Sequence, residues 1–462
     1  SGERLSLAAG VVTEGARIAA RSGLGAVMGS KRLKAVALSG NAGIEAHDPE
    51  TIKKLSKDFS QWVKDGEKTA KWMTAWFRRF FGRFLRVSPV HFAGTGEGVR
   101  GVLRLYGTIF SNTLSAESGD SPVKNWKGVG HHDFPISTHS SKLDAALILE
   151  HQTRRYHCYS CPLGCGGILE LSGKTRFPLA ESHKPEYETC CAFGALILND
   201  DLEALFMIND MLNRAGMDTI TAGSAVALAM ECFEQGILSK EDTDGLDLAW
   251  GNANAVVKLV EKMVAREGFG DILADGAERA AQRIGKGAEH FAVHAGGQDL
   301  PMHDCRFDPG FGVSYSMEPA PGRHTLYCYL YLELYALHKT FSGLPSVDLV
   351  YRRLSKLSTK EREILLSAGS KFMQVVNGAG GCLFAAQCGP RYPLIQYLNA
   401  ATGWNKEPNE YLEIGERIQH LRQAFNVKHG KIPGRDFRLP PRVVGDPPLS
   451  RGPLKGVRIP IE

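Results

Sequence analysis

The sequence predicts a mostly α protein, and three observations carry that expectation. Apolar residues recur at three- and four-residue intervals in segment after segment of the second half. Alternating, strand-like patterns are few beyond residue 45. Polar breaks separate the periodic runs at lengths typical of globular helices. With 462 residues, 43% of them hydrophobic and 23% charged, the chain can bury a large core and divide into two or three domains. A formal net charge of +5 is too mild to argue for a nucleic-acid partner. No apolar run reaches membrane-spanning length and no signal peptide is evident. Ten cysteines in so long a chain fit metal ligation in a reducing cytoplasm better than a secreted disulfide framework.

Taken in order, residues 5–21 place small and apolar side chains at helical spacing and end in Arg17-Ile-Ala-Ala-Arg21. A glycine-rich turn over 22–31 and a strand-like stretch over 34–39 follow. The turn can bring backbone N–H groups to a phosphate, but it has neither the P-loop nor the GxGxxG pattern, and such loops usually only turn corners. Asp48-Pro49 starts a polar helix over 49–66. Over 72–86, Phe77, Phe80, Phe81 and Phe84 share one helical face and Arg78, Arg79, Arg83 and Arg86 the other. The plainer reading is a core stripe with a solvated basic back. The sharper one is a docking surface for an acidic electron carrier or a phosphate-bearing substrate. Residues 90–140 read as loop-rich. Helices are expected over 202–216, 221–236, 252–266, 272–283, 325–340, 347–357, 361–377 and 408–425, with an extended Pro/Gly/Arg-rich tail from Pro433.

The stretch with the most chemical content is Cys158-Tyr-Ser-Cys161-Pro-Leu-Gly-Cys165-Gly-Gly. Three thiols lie within eight residues, and the proline and glycines let the backbone coil so that the sulfurs face a common centre. Thiolates select iron–sulfur clusters, zinc or Cu(I). A structural zinc site would show a second pair a dozen or so residues on, and none follows. A [4Fe-4S] cluster needs four thiolates, one of which can come from far away in the chain.

Around that loop the sequence resembles the aldehyde:ferredoxin oxidoreductases, enzymes with a tungsten or molybdenum bis-pterin. Four motifs carry the resemblance. Arg17 to Lys34 looks like the close of the family's N-terminal β domain, and the cysteine loop looks like its three-ligand cluster loop. Asn213-Arg-Ala-Gly216-Met-Asp218 and Asn377-Gly-Ala-Gly380-Gly-Cys382 look like its paired DxxGL(D/C) pterin motifs. Both begin with Asn where the family often has Asp, which keeps an acceptor and removes a charge. The resemblance implies a remnant of the β domain over 1–43, a helical domain over 44–293 and a second over 294–462. The rest of the β domain is missing, which points to a fragment of a longer protein.

The resemblance further implies a [4Fe-4S] cluster on Cys158, Cys161, Cys165 and Cys382, with Cys388 as a rival fourth ligand. The bis-pterin would be held through Arg17, Arg21, Asn213, Gly216, Asp218, Asn377 and Gly380, with Mg bridging its phosphates. Glu188, Tyr187 and His324 would be catalytic as acid/base, hydrogen-bond donor and proton donor. Glu188-Thr-Cys-Cys191-Ala-Phe-Gly194, His294 to Gln298, Met302-His-Asp304 and Pro321-Gly-Arg-His-Thr325 look closest to the benzoyl-CoA reductase branch, in which a cysteine, here Cys191, ligates tungsten. The implied reaction is then reduction of an aromatic acyl-CoA, with Glu117, His131 and His132 as candidates for a proton relay. The alternatives are oxidation of aldehydes to carboxylates and a non-catalytic iron–sulfur subunit. The implied partners are ferredoxin or an iron–sulfur electron-transfer subunit, within an oligomer.

Overall fold

The computed structural model describes residues 1–13, 17–71, 75–85, 95–346 and 357–460. The expected second-half helices form: Leu202–Ala215, Thr219–Glu234, Ala253–Ala265, Phe269–Leu273 with Ala277–Ile284, Tyr329–Tyr335, Thr359–Gly378 and Pro408–Lys428. Their ends follow local chemistry. Asp201, Asp218 and Asn252 each accept a backbone N–H of the first turn they precede. A reciprocal capping box of Ser358 and Glu361 opens Thr359–Gly378. The helix expected over 347–357 lies almost entirely outside the described residues.

Thr219–Glu234 is the centre of the molecule. Its sequence is small and apolar all round, so every face can be buried. It packs on Tyr187–Ala192, Ala253–Ala265 and Ala277–Ile284. The buried cluster around it extends from Ala8 to Ile459, drawing on both sides of residue 293.

The first forty residues differ from the expected helix. Val11–Thr13 and Arg17–Ala19 form an antiparallel hairpin in which Val12 faces Ile18. The neighbouring backbone is committed to a distant segment: Gly10 N–H donates to Gly216 O at 2.8 Å and Asp218 N–H to Ala8 O at 2.8 Å. Once those groups pair across the chain they cannot close helical turns. The glycine-rich turn instead closes into a helix, Leu24–Ser30. The strand expected over 34–39 is exposed and pairs with no described strand.

Residues 95–133 are more helical than expected, with Gly96–Leu105, Asn112–Ser118 and Gly130–Asp133. Gly96–Leu105 lies along Pro49–Ala70, and Phe59, Val63 and Leu103 from this pair meet Leu163 and Cys388 in a small separate core. The three-stranded antiparallel sheet Gln152–Tyr156, Gly166–Glu170 and Glu181–His183 was not foreseen. Its first strand is charged and its second opens on two glycines, so neither alternates cleanly. The cysteine loop is the connection between those two strands.

Ala75–Leu85 is also turned relative to expectation. Arg78 is fully buried, with its guanidinium 2.5 Å from Asp144 and 4.7 Å over the Tyr106 ring. Trp76, Phe80 and Phe84 are 74%, 59% and 41% exposed. Phe77 and Phe81 are half-buried and Arg79 and Arg83 exposed, as expected, so the carboxylate opposite Arg78 rotates the buried face; Arg86 lies outside the described residues.

The crossing of Pro49–Ala70 and Gly96–Leu105 depends on Gly101, because a Cβ there would overlap the Gly66 carbonyl. Gly101→Ala is expected to push the helices apart and lower stability by ~1–3 kcal/mol, read as a shift in the urea midpoint.

Candidate active site and metal centre

Thr108 and Glu186 position the short helix Tyr187–Ala192. Thr108 Oγ1 donates to Glu186 Oε2 at 2.5 Å and accepts the Tyr187 N–H at 2.9 Å. Arg17, on the N-terminal hairpin, donates through Nη1 to Glu186 Oε1 at 2.9 Å. Its Nη2 lies 3.5 Å from Cys165 Sγ. One guanidinium thus joins the cysteine loop to the helix carrying Tyr187 and Glu188. Beside it, buried Lys184 donates to Tyr106 O at 3.0 Å, and burial pushes its pKa down to about 8.

The carboxyl of Glu188 is buried, with unequal oxygens. Oε2 accepts the Met302 N–H at 2.8 Å. Oε1 makes no hydrogen bond yet lies 3.4 Å from Nε2 of both His303 and His324. Burial raises the pKa of Glu188, although His303 and the Met302 N–H oppose it. Burial drives His324 well below the ordinary imidazole value, helped by repulsion from His303, Arg21 and Arg323. His303 goes the other way: burial opposes its charge, but Asp120, Glu188 and Asp308 together outweigh that and raise its pKa. The structure therefore brings Glu188 and His324 together as the sequence suggested. It places Tyr187 differently, because its hydroxyl donates to Met302 O at 2.8 Å and to Asp120 at 3.2 Å. That hydroxyl supports the pocket from behind.

Sequence reasoning missed Asp120 and assigned no role to His303. His303 Nδ1 is 3.0 Å from Asp120 Oδ1. The two are 183 positions apart, and Asp120 follows an uninformative Ser-Gly; only the pairing of a histidine with a buried acid could have signalled them. Glu117 is not part of this group, since it accepts the Ile136 N–H at 2.6 Å. Nor do His131 and His132 reach it: they lie against the tail at Gly452 and Arg451. In Tyr187–Ala192, Cys191 and Cys190 point apart. Cys191 sits within reach of Ser121 and Tyr187, and Cys190 faces Asn112.

In the cysteine loop, left-handed Ser160 and Gly164 (φ 53° and 58°) coil the backbone. Cys382, exposed at the start of Leu383–Ala386, is an electrostatic neighbour of Cys158, Cys161 and Cys165. Cys388 is also near, but its buried thiol donates to Phe384 O at 3.4 Å and packs with Phe59 and Val63. Among the described residues no three His, Cys, Asp or Glu side chains close on a point as they would around a single ion. A four-iron cube holds its thiolates farther apart than one ion does, so this donor set fits a cluster.

Asp218 caps its helix through Thr221 and lies 3.6 Å from Arg21 Nε. Arg21 also donates to the Gly322 and Asp299 carbonyls. Gly216 (φ 63°) turns the chain between Asn213 and Asp218, and Asn213 is half-buried there. Asn377 and Gly380 are exposed at the end of Thr359–Gly378. The buried Nε atoms of Arg17 and Arg21, His324 Nδ1 and Glu188 Oε1 have no hydrogen-bond partner. The orphaned Arg17, Arg21 and His324 nitrogens fit a polar, anionic cofactor, and the Gly380 turn has open space beside it.

This fold and donor set define a helical protein organised around a thiolate-rich centre beside a buried carboxyl–imidazole group. Comparison with known proteins gives the family. Residues 93–462 match "Aldehyde ferredoxin oxidoreductase, domains 2 & 3" and residues 1–40 match its N-terminal domain. The chain belongs to the aldehyde ferredoxin oxidoreductase family. It is 32% identical to the tungsten-containing aldehyde ferredoxin oxidoreductase of Pyrococcus furiosus, covering 99% of this chain and 66% of that protein. It is 28% identical to the WOR-like subunit of an aliphatic sulfonate oxidoreductase from the same organism, covering 98% and 63%. The chain thus spans about two thirds of the length of these relatives. In fold it resembles the active site complex BamBC of benzoyl coenzyme A reductase, with a TM-score of 0.65 at 19% identity, covering 96% of this chain and 69% of that one.

Two predictions follow from the geometry. Cys382→Ser is expected to lower iron content well below that of Cys388→Ser, measured by inductively coupled plasma mass spectrometry on anoxically purified protein. Burial pushes Asp299 up from 3.8 to about 7, with Asp218 adding and the Ala277 N–H and Arg21 opposing. The folded state therefore holds a proton that the unfolded chain releases, and this contribution to stability is lost as pH rises from about 4 to about 7. Asp299→Asn should remove that decline, worth a few kcal/mol in order of magnitude, in urea midpoints compared across the window.

Proposed function

We propose that this chain carries the catalytic centre of a tungsten (or molybdenum) bis-pterin oxidoreductase that oxidises an aldehyde and water to a carboxylate. The reaction releases three protons and two electrons, and the electrons would leave through a [4Fe-4S] cluster to a ferredoxin or similar iron–sulfur partner. The observation that carries this reading is Glu188, a buried carboxyl with one oxygen fixed by Met302 N–H and the other free beside two imidazoles. When bound, the metal–pterin group would supply the two-electron redox chemistry, and Cys158, Cys161, Cys165 and Cys382 would hold the cluster. Arg17, Arg21 and the turns at Asn213–Asp218 and Asn377–Gly380 would hold the pterins, with Mg on their phosphates. Glu188, its carboxylate form disfavoured by burial, takes a proton from the attacking water, and His324 places an N–H at the substrate oxygen. No described helix is long and apolar enough to cross a membrane.

A second reading, reduction of an aromatic acyl-CoA, is favoured by Cys191, one helical turn from Tyr187 on the same face of the catalytic helix. A thiolate ligand to the metal would change its electron density. The benzoyl coenzyme A reductase likeness is one of fold at 19% identity, whereas the tungsten-containing aldehyde ferredoxin oxidoreductase of Pyrococcus furiosus is 32% identical over 99% of this chain. We therefore favour aldehyde oxidation.

Glu188→Gln should lower aldehyde oxidation roughly 10²–10⁴-fold without loss of metal, assayed by reduction of an artificial electron acceptor. Cys191→Ser should leave tungsten content and aldehyde oxidation close to those of the parent. Loss of tungsten together with loss of acyl-CoA reduction would transfer the assignment to the second reading.

A further inference from the structure

Glu188 has a support whose construction goes beyond packing. The His303 ring is clamped between Tyr187 and Phe311, at centroid separations of 4.9 and 4.8 Å and interplanar angles of 23° and 14°. Its Nδ1 stands 3.0 and 3.1 Å from the two oxygens of Asp120, and its Nε2 faces Glu188 Oε1 at 3.4 Å. Asp120 is itself fixed: Oδ2 accepts from Ser115 Oγ at 2.9 Å and Tyr187 Oη at 3.2 Å, while its carbonyl takes the Asp304 N–H at 2.6 Å. Met302, the residue before His303, holds the other oxygen of Glu188. Asp120 therefore holds the Nδ1 end of the ring, while consecutive residues Met302 and His303 face the two oxygens of the carboxyl.

We propose that Asp120 and His303 are positioning residues for Glu188, with Asp120 fixing the ring so that Nε2 faces Oε1 at 3.4 Å. The inference rests on the reading of Glu188 as the site's acid–base group. A carboxylate on Nδ1 commits that nitrogen as a donor and turns Nε2 to the oxygen that must accept and return a proton. Other charged or titratable groups facing this unit are Asp308 on His303, Arg21 on Glu188, and Arg21 and Arg323 on His324. Cys191, Tyr315 and Tyr331 are further neighbours of Glu188, and Tyr315 donates to the His303 carbonyl at 3.1 Å. Of the two rings 3.4 Å from Oε1, His303 is the one whose charged form Asp120 favours. Its removal should let Glu188 keep its proton to higher pH.

The test uses the full chain with its native cofactors. His303→Phe preserves the aromatic stack and deletes both nitrogens. Its iron and tungsten contents and KM should match the parent, while kcat falls at least about tenfold. The infrared band of the protonated Glu188 carboxyl, assigned by its absence in Glu188→Gln, should persist to higher pH. Asp120→Ala should reproduce the loss in kcat, and the double variant should lose little more. Unchanged kcat and an unmoved band, or losses that multiply in the double variant, would overturn the proposal. If His303→Phe is not recovered with metal, His303→Gln, which retains a donor, replaces it with the same criteria. Wild-type turnover by Glu188→Gln would sink the functional reading alone, and the infrared comparison would still decide the pair.

Discussion

The interaction on which the rest of the site depends is the contact of Arg17 with Glu186. Alone, a half-exposed arginine–carboxylate pair contributes little to stability. Here its value is geometric. Arg17 reaches Cys165 with one nitrogen and Glu186 with another, and Glu186 passes the constraint through Thr108 to the first backbone N–H of the catalytic helix. Four segments separated by up to 169 positions are thereby held in one orientation. The cysteine loop and the helix carrying Glu188 are held at a fixed separation, and a planar donor with a rigid fork is suited to setting it.

Burial then makes neighbouring groups of the same type behave differently. His303 and His324 both face Glu188 Oε1, but only His303 has a carboxylate behind it. Desolvation acts on both rings; Asp120, Glu188 and Asp308 together reverse it for one, and the cations Arg21 and Arg323 deepen it for the other. The pocket thus presents one charge-prone and one neutral imidazole to a single carboxyl oxygen. Diverging pKa values in adjacent groups allow donor and acceptor roles to coexist at one pH.

Much of this was legible in the sequence wherever the signal was local. The cysteine spacing marked a thiol-rich loop, and helical periodicity with Asp, Asn and Ser caps marked the long helices of the second half. What was not legible depended on partners far away. The hairpin over 11–19 forms because Ala8, Gly10 and the 216–218 turn exchange backbone hydrogen bonds across two hundred positions. Arg78 turns inward because Asp144 waits there, and nothing within 72–86 announces that acid. Asp120 and His303 are ordinary residues until the fold pairs them.

The same distinction bears on the cysteines. Spacing alone could not separate Cys382 from Cys388 or Cys191 from Cys190, since each pair lies within one short segment. Their surroundings do separate them. Cys388 spends its hydrogen on a carbonyl and its surface on a small apolar core, whereas Cys382 stands at a helix start beside three other sulfurs. Cys190 faces Asn112, while Cys191 lies on the Tyr187 side of the helix. A thiol becomes a ligand when its alternatives cost more than deprotonation next to a cation. Cys382 is thus the exposed thiol of its pair, and Cys191 is the one within reach of Ser121 and Tyr187.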